Sequence, residues 1–240
     1  MIPSYCITMS ITPERYTRAK NLFNDLKYPV NFYIAERDPQ GGIYGCWRSH
    51  LACWDDAVSK GHDIIAVFED DVEIPNEEEF KKILEEAHKF LVQNENFEFI
   101  ALHGQVLPIE YKKGPIKFGV PITTCAYMIH LPRFLKRGRK NIEPTGKHFD
   151  YELFLNPEGP IYTKAGVFDP VVGILPGSDF GTINDYGPLL NISFKIFGYS
   201  KFTNIRDVYI KILRFFPRIV ARRFFLNFNE RLVKLLQPTF

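Results

Sequence analysis

Apolar positions along this chain recur with two different periods, and the points where the period changes mark its elements. Residues 5–9 form a short apolar run that predicts a first strand. Thr12-Pro13 then supplies a cap and a first-turn proline for a helix whose inner face carries Tyr16, Ala19, Leu22, Phe23 and Leu26. Residues 30–35 predict a second strand. A glycine-rich stretch from Gly41 to Gly45 leads into a helix with Leu51, Trp54 and Val58 inward, closed by Gly61. Residues 64–68 are uninterruptedly apolar, as in a strand buried on both faces of a parallel sheet. Asn76 and Glu79 make a cap and capping-box pair for a helix presenting Phe80, Ile83, Leu84, Ala87 and Leu91. Two further strands are expected over residues 97–102 and 122–130, joined by a loop over 103–121. Helical pattern resumes at Pro132 and over 148–154. Residues 167–170 and 177–180 read as turns able to close over a site. Strand and helix alternate, so the fold class is α/β.

Composition adds little until it is divided along the chain. With 240 residues, 45% apolar and 24% charged, this is an ordinary globular protein with room for one large domain or one domain and an appendage. The net charge of +2 hides an asymmetry: residues 201–240 hold nine basic and two acidic side chains, a net +7, which leaves −5 for residues 1–200. That division sets the expected domains, 1–200 and 201–240. It also argues against nucleic acid as a partner of the body. In the tail, Ile205, Val208, Tyr209, Ile212, Leu213 and Phe216 fall on one helical face, and Phe224, Phe225, Phe228, Leu232 and Leu235 follow Pro217. Two basic amphipathic helices of this kind suit an anionic membrane surface, or packing on the domain or on a second subunit. No signal peptide or spanning segment is expected, and Cys6, Cys46, Cys53 and Cys125 lack zinc or disulfide spacing, so the expected location is cytoplasmic and peripheral.

The candidate chemistry gathers at strand ends. Glu69, Asp70 and Asp71 follow the buried strand directly, at the edge where open α/β sheets bind ligands. Clustered carboxylates there suit Mn2+ or Mg2+ with spare positions for a phosphate-bearing substrate; a solvated acidic turn is the competing reading. Arg15 and Arg18 lie near the end of the first strand, where they can meet phosphate or ribose or simply face solvent. The glycines ahead of the second helix allow close backbone approach to a ligand, and His50 reads either as a ligand or as a core histidine. Asp150 and Glu152, set among aromatics, are candidates for base chemistry, against the plainer role of a helix cap.

In order, Gly42-Ile43-Tyr44-Gly45-Cys46-Trp47-Arg48-Ser49-His50, Phe68-Glu69-Asp70-Asp71, Thr124-Cys125-Ala126-Tyr127, Phe149-Asp150 and the late Ser178 resemble glycosyltransferase family 25, which includes lipooligosaccharide and collagen galactosyltransferases. Met9-Ser10 stands where that family has Asn-Leu, while Arg15 is where an arginine is expected. The resemblance implies a GT-A fold and inverting transfer of a sugar from a nucleotide-linked donor, UDP first among them, to a glycan, glycolipid or glycoprotein acceptor. It implies Mn2+ (or Mg2+) held by Asp71, with Glu69 or Asp70 assisting, and donor contacts at Arg15, Gly45, Ser49, His50, Asp70 and Ser178. Single-displacement inversion needs a base for the acceptor hydroxyl, for which Asp150 is the first choice, Glu152 the reserve and Asp179 a more distant one. A metal-dependent nucleotidyltransferase uses the same acidic edge, and an inactive relative would keep the fold as a binding module.

Overall fold

The computed structural model describes residues 1–174 except 75, 104–105, 114–115, 122–123, 138, 140, 155, 157 and 164. Met1–Leu175 form one compact unit. The tail, the expected boundary at 200, Ser178 and Asp179 lie outside the described residues.

The elements run β1 (Ser4–Met9), α1 (Pro13–Asp25), β2 (Asn31–Ala35), α2 (Gly42–Ser59), β3 (Ile64–Glu69), β4 (Val72–Glu73), α3 (Glu77–Gln93), β5 (Phe99–His103), β6 (Val106–Lys113), β7 (Ile116–Pro121), β8 (Ala126–His130), α4 (Leu131–Lys136), α5 (Phe149–Phe154) and β9 (Ala165–Ile174). The sheet order is β2-β1-β3-β8-β5-β9-β7-β6, with β4 paired to β9 off this path. β1 runs parallel to both β2 and β3, whereas β8 is antiparallel to β3 and β5, so the sheet is mixed and not the parallel one expected.

β3 is buried from Ile64 to Phe68 because helices cover both faces of the sheet. Its side chains alternate between two cores. Ala66 and Phe68 join Cys6, Met128 and the inner faces of α1 and α3, including Phe23, Leu26, Phe80 and Leu84. Ile65 and Val67 join Tyr5, Tyr127, Ile129, and Trp47, Trp54, Phe134 and Phe149 from α2, α4 and α5. Phe68 is fully buried, with ring centroids 5.3 Å from Phe23 and 5.8 Å from Phe80, so truncation to alanine would cost about 3–5 kcal/mol.

The helices follow their apolar periodicity, with one exception in α2. The face of α3 is the expected one, and Asn76 caps it by accepting the N–H of Glu79 at 3.0 Å. In α2 the buried positions are Trp47, Ser49, His50, Cys53, Trp54 and Ala57, while Val58 is 47% exposed. The rotation brings Ala57 inward, where a small side chain lets the helix approach the sheet. Gly61, at φ +74°, ends that helix in the left-handed region.

Two loop expectations are corrected. Residues 103–121 hold the antiparallel pair β6 and β7, and residues 167–170 lie inside β9, which is parallel to β5 and antiparallel to β7. Pro108, Gly119 and Pro170 are local turn signals inside these stretches. Pairing with partners distant in sequence, to which local propensity is blind, keeps them extended.

Candidate active site

β1 and β3 are parallel neighbours with Ile7 level with Glu69, so both strands deliver their last residues to one edge. There Thr8 Oγ1 donates to Asp70 Oδ2 at 2.7 Å, and the guanidinium of Arg15 pairs with Asp70 Oδ1. Arg18 donates to the backbone carbonyl of Asp70. Both α1 arginines are thus turned onto the acidic turn and not onto solvent. Asp70 is buried, which raises its pKa against the opposing pull of Arg15 and Thr8.

Asp71 is placed differently. Its Oδ2 lies 3.6 Å from Arg15 Nη2, but its Oδ1 is buried with no hydrogen-bond partner among the described residues, and the same is true of Nε of Arg15. Burial, with the charge of Glu69 adding to it, pushes the Asp71 carboxyl up to about 7. Glu69 goes the other way. Burial raises it, but His50, with Nε2 3.5 Å from Glu69 Oε1, and Thr124, donating to Oε1 at 3.2 Å, outweigh that and hold it below the usual range.

The other wall is made by α2 and α5. Gly41 caps α2 at φ +104°, a conformation that suits glycine, and a side chain on Gly45 would sit 3.2 Å from Cβ of Asp38. Ser49 donates to the carbonyl of Gly45 at 2.7 Å, so its hydroxyl is used within the helix. Trp47 Nε1 donates to the Lys147 carbonyl at 2.7 Å, and the ring of Phe149 stacks on His50 at 4.4 Å and 6°. This aromatic seat sets the start of α5 against the acidic edge. Cys46, on the first turns of α2, lies within electrostatic reach of Glu69, Asp150 and Asp71 together.

Asp150 is half-buried and accepts the N–H of Tyr151 at 2.8 Å. Burial raises its pKa; His148 and the backbone oppose this, and the charge of Glu69 adds to it. Glu152, two positions on, points roughly 200° around the helix from Asp150. It is 1% exposed and takes its bonds locally, from Thr145 at 3.2 Å and Asn156 at 2.9 Å, with Lys147 Nζ at 3.8 Å. The fold therefore gathers Arg15, Asp70, Asp71, Glu69 and Asp150, leaves Glu152 tying residues 145–156 together, and buries Ser49 and His50 behind the site.

Thr8 and the roles of Thr124 and Tyr127 were not legible from local pattern. A polar residue closing β1 beside a parallel acidic strand is the signal that would have found Thr8. Among the described residues no group of three or more His, Cys, Asp or Glu can hold a metal alone. Mg2+-type sites use one or two carboxylates and complete the shell with substrate phosphates and water, and the orphaned Oδ1 of Asp71 fits that arrangement. No described helix is long and apolar enough to cross a membrane.

No curated protein matches the chain. Solved structures similar to it include a glycosyltransferase involved in the glycosylation of the major capsid of PBCV-1, with TM-score 0.43, 16% identity, and coverage of 70% of this chain and 82% of that one. Another is a mannose-1-phosphate geranyltransferase from Thermus thermophilus, with TM-score 0.36, 11% identity, and coverage of 70% and 74%. Residues 40–116 match the model of glycosyltransferase family 25 (LPS biosynthesis protein). That stretch begins just ahead of α2 and includes His50, β3 and the acidic triplet, so the resemblance to glycosyltransferase family 25 read from the sequence is borne out on residues that build the site.

Proposed function

We propose that this glycosyltransferase has a GT-A-type donor site and moves a hexose from a UDP-linked donor to an acceptor hydroxyl in one inverting, metal-dependent displacement. The observation that carries the reading is the pair of orphaned buried atoms of opposite character, Arg15 Nε and Asp71 Oδ1, on two side chains already in contact at the carboxyl edge of the sheet. Buried polar atoms are rarely left unmatched. A donor and an acceptor orphaned on two touching side chains call for a ligand that is anionic towards one and cationic towards the other, which describes a metal-bound diphosphate.

Asp71 would hold Mn2+ or Mg2+, whose chemistry when bound is to stabilise charge on the departing diphosphate. Asp70 is less available, since Thr8 and Arg15 occupy both its oxygens. Arg15 keeps one face of its guanidinium for phosphate or ribose oxygens. Asp150, with its proton affinity raised by burial, would take the acceptor's proton. The basic tail, net +7 over residues 201–240, supports a further reading in which anionic lipid holds the enzyme beside a membrane-borne acceptor.

The test is release of nucleotide from a panel of nucleotide sugars with Mn2+ and in excess chelator. Release from UDP-hexoses that needs metal supports the reading. Release indifferent to chelator overturns the metal, and turnover of nucleoside triphosphates with sugar phosphates instead overturns glycosyl transfer.

A further inference from the structure

We propose that Trp54, Tyr127 and His50 form a hydrogen-bonded strut that locks His50 as its Nε2–H tautomer and holds the Glu69 carboxylate in place for sugar transfer, which makes the three of them positioning residues. This rests on the reading of the acidic edge as the transfer site.

The donor inventory sets the direction of the strut. Trp54 Nε1–H can only donate, and it lies 2.9 Å from the Tyr127 hydroxyl oxygen. That hydroxyl has a single hydrogen, and its other partner among the described residues is His50 Nδ1 at 2.8 Å. The hydrogen therefore points at Nδ1, which accepts it, and the ring's own hydrogen lies on Nε2, 3.5 Å from Glu69 Oε1. The opposite tautomer would set two hydrogens against each other, or leave the Tyr127 hydrogen without an acceptor where no water reaches. Trp54, Tyr127 and His50 are 2%, 0% and 1% exposed.

The ring is also fixed in angle. Phe149 stacks on one face at 4.4 Å, and the Tyr127 ring lies tilted at 5.5 Å. His50 thus reaches no ligand directly and acts through Glu69, at a contact that is long in the free protein and of the kind that tightens when substrate is bound. Thr124 adds its own hydrogen bond to the same oxygen. With Oε1 engaged and the side chain 30% exposed, Oε2 is the oxygen left to face the site.

A single network accounts for sequence pieces that are far apart in the chain. His50, Glu69, Thr124 with Tyr127, and Phe149 meet in it, each of the others supplying a contact to the His50 ring or to the Glu69 carboxylate. The donor side is held by separate means, since Arg15 and Thr8 fix Asp70 from α1 and β1. Loosening the strut should therefore slow transfer without loosening the donor.

The experiment compares Tyr127→Phe, His50→Gln and His50→Phe with the parent in the full chain. Long-range 1H–15N spectra read the tautomer in the absence of substrate; the expected result is a protonated Nε2 and a bare Nδ1, lost as the sole form in Tyr127→Phe. Outer partners of this kind are worth roughly ten- to a hundredfold in activity. Tyr127→Phe is accordingly expected to lower kcat by about tenfold with donor KM within about threefold. His50→Gln, which keeps a donor towards Glu69, should retain more of kcat than His50→Phe at matched melting temperature. A protonated Nδ1 in the parent overturns the strut, as do equal kcat values for the two His50 variants or a fall confined to KM. The spectra need no turnover, so failure of the strut is distinguishable from failure of the proposed activity. Should Tyr127→Phe fail to fold, the parent spectrum and the His50 pair still decide the matter.

Discussion

Asp71→Asn separates stability from function most sharply, because the two should move in opposite directions. In the metal-free protein the Asp71 carboxyl titrates near 7 against an ordinary value of 3.8, raised by burial and by Glu69. A carboxyl with a raised folded pKa stabilises the fold fully only below the unfolded value, and that contribution is lost as pH rises through the folded one. The native chain is therefore penalised progressively between about pH 4 and 7, and the penalty is complete above 7. Taken whole, the shift corresponds to about 4 kcal/mol; mutual interaction with Glu69 and relaxation around Arg15 reduce this to about 2 kcal/mol. Asparagine keeps the shape without the charge. At pH 8 in chelator the variant should melt roughly 4–8 °C above the parent, and at pH 4 the two should coincide. Excess Mn2+ should raise the parent and not the variant, closing the gap. Nucleotide release by the variant should fall by two to three orders of magnitude, about 3–4 kcal/mol of transition-state stabilisation. Scanning calorimetry at the two pH values, with and without metal, and a nucleotide-release assay supply the readings. A variant that melts below the parent in chelator at pH 8, or that keeps its activity, refutes the argument.

Asp150→Asn should lower kcat by about a hundredfold or more with donor affinity nearly unchanged, measured by steady-state kinetics and donor titration; collapse of donor binding would move Asp150 to the donor site. Glu152→Ala should act on stability, because it empties a buried position and removes the acceptor shared by Thr145 and Asn156; a loss of about 1–3 kcal/mol is expected in urea unfolding, with donor affinity kept in the folded fraction. Metal affinity, followed by titration calorimetry, should rise with pH up to about 7 and level off above it, since Asp71 must lose its proton to bind. In liposome sedimentation the full chain should partition onto anionic vesicles and release at raised salt, whereas a chain ending at Ser200 should stay in solution; equal partitioning would assign the basic tail to packing.

The helices and the central strands were legible in local pattern because their determinants are local. An apolar stripe at 3.6-residue spacing placed the inner faces of α1 and α3, Asn76 announced the cap of α3, and an unbroken apolar run ending in three acids announced β3 and the edge it opens onto. Strands β6, β7 and β9 were read as loops because their prolines and glycines are local signals, while the pairing that holds them is with residues remote in the chain. The site divides in the same way. Residue types and spacing pointed to Glu69, Asp70, Asp71, Arg15 and Asp150 as a group. The resemblance put Asp71 first among the three adjacent carboxylates, but what each oxygen already touches is decided by the fold: Thr8 and Arg15 on Asp70, His50 and Thr124 on Glu69, and, among the described residues, nothing on Oδ1 of Asp71. The resemblance put Asp150 ahead of Glu152, but sequence could not tell a ligand histidine from one buried behind a carboxylate. Those distinctions arise when Trp47, His50 and Trp54 seat Phe149, and the tertiary packing of α2 against α5 decides which side chain faces the acids and which is enclosed.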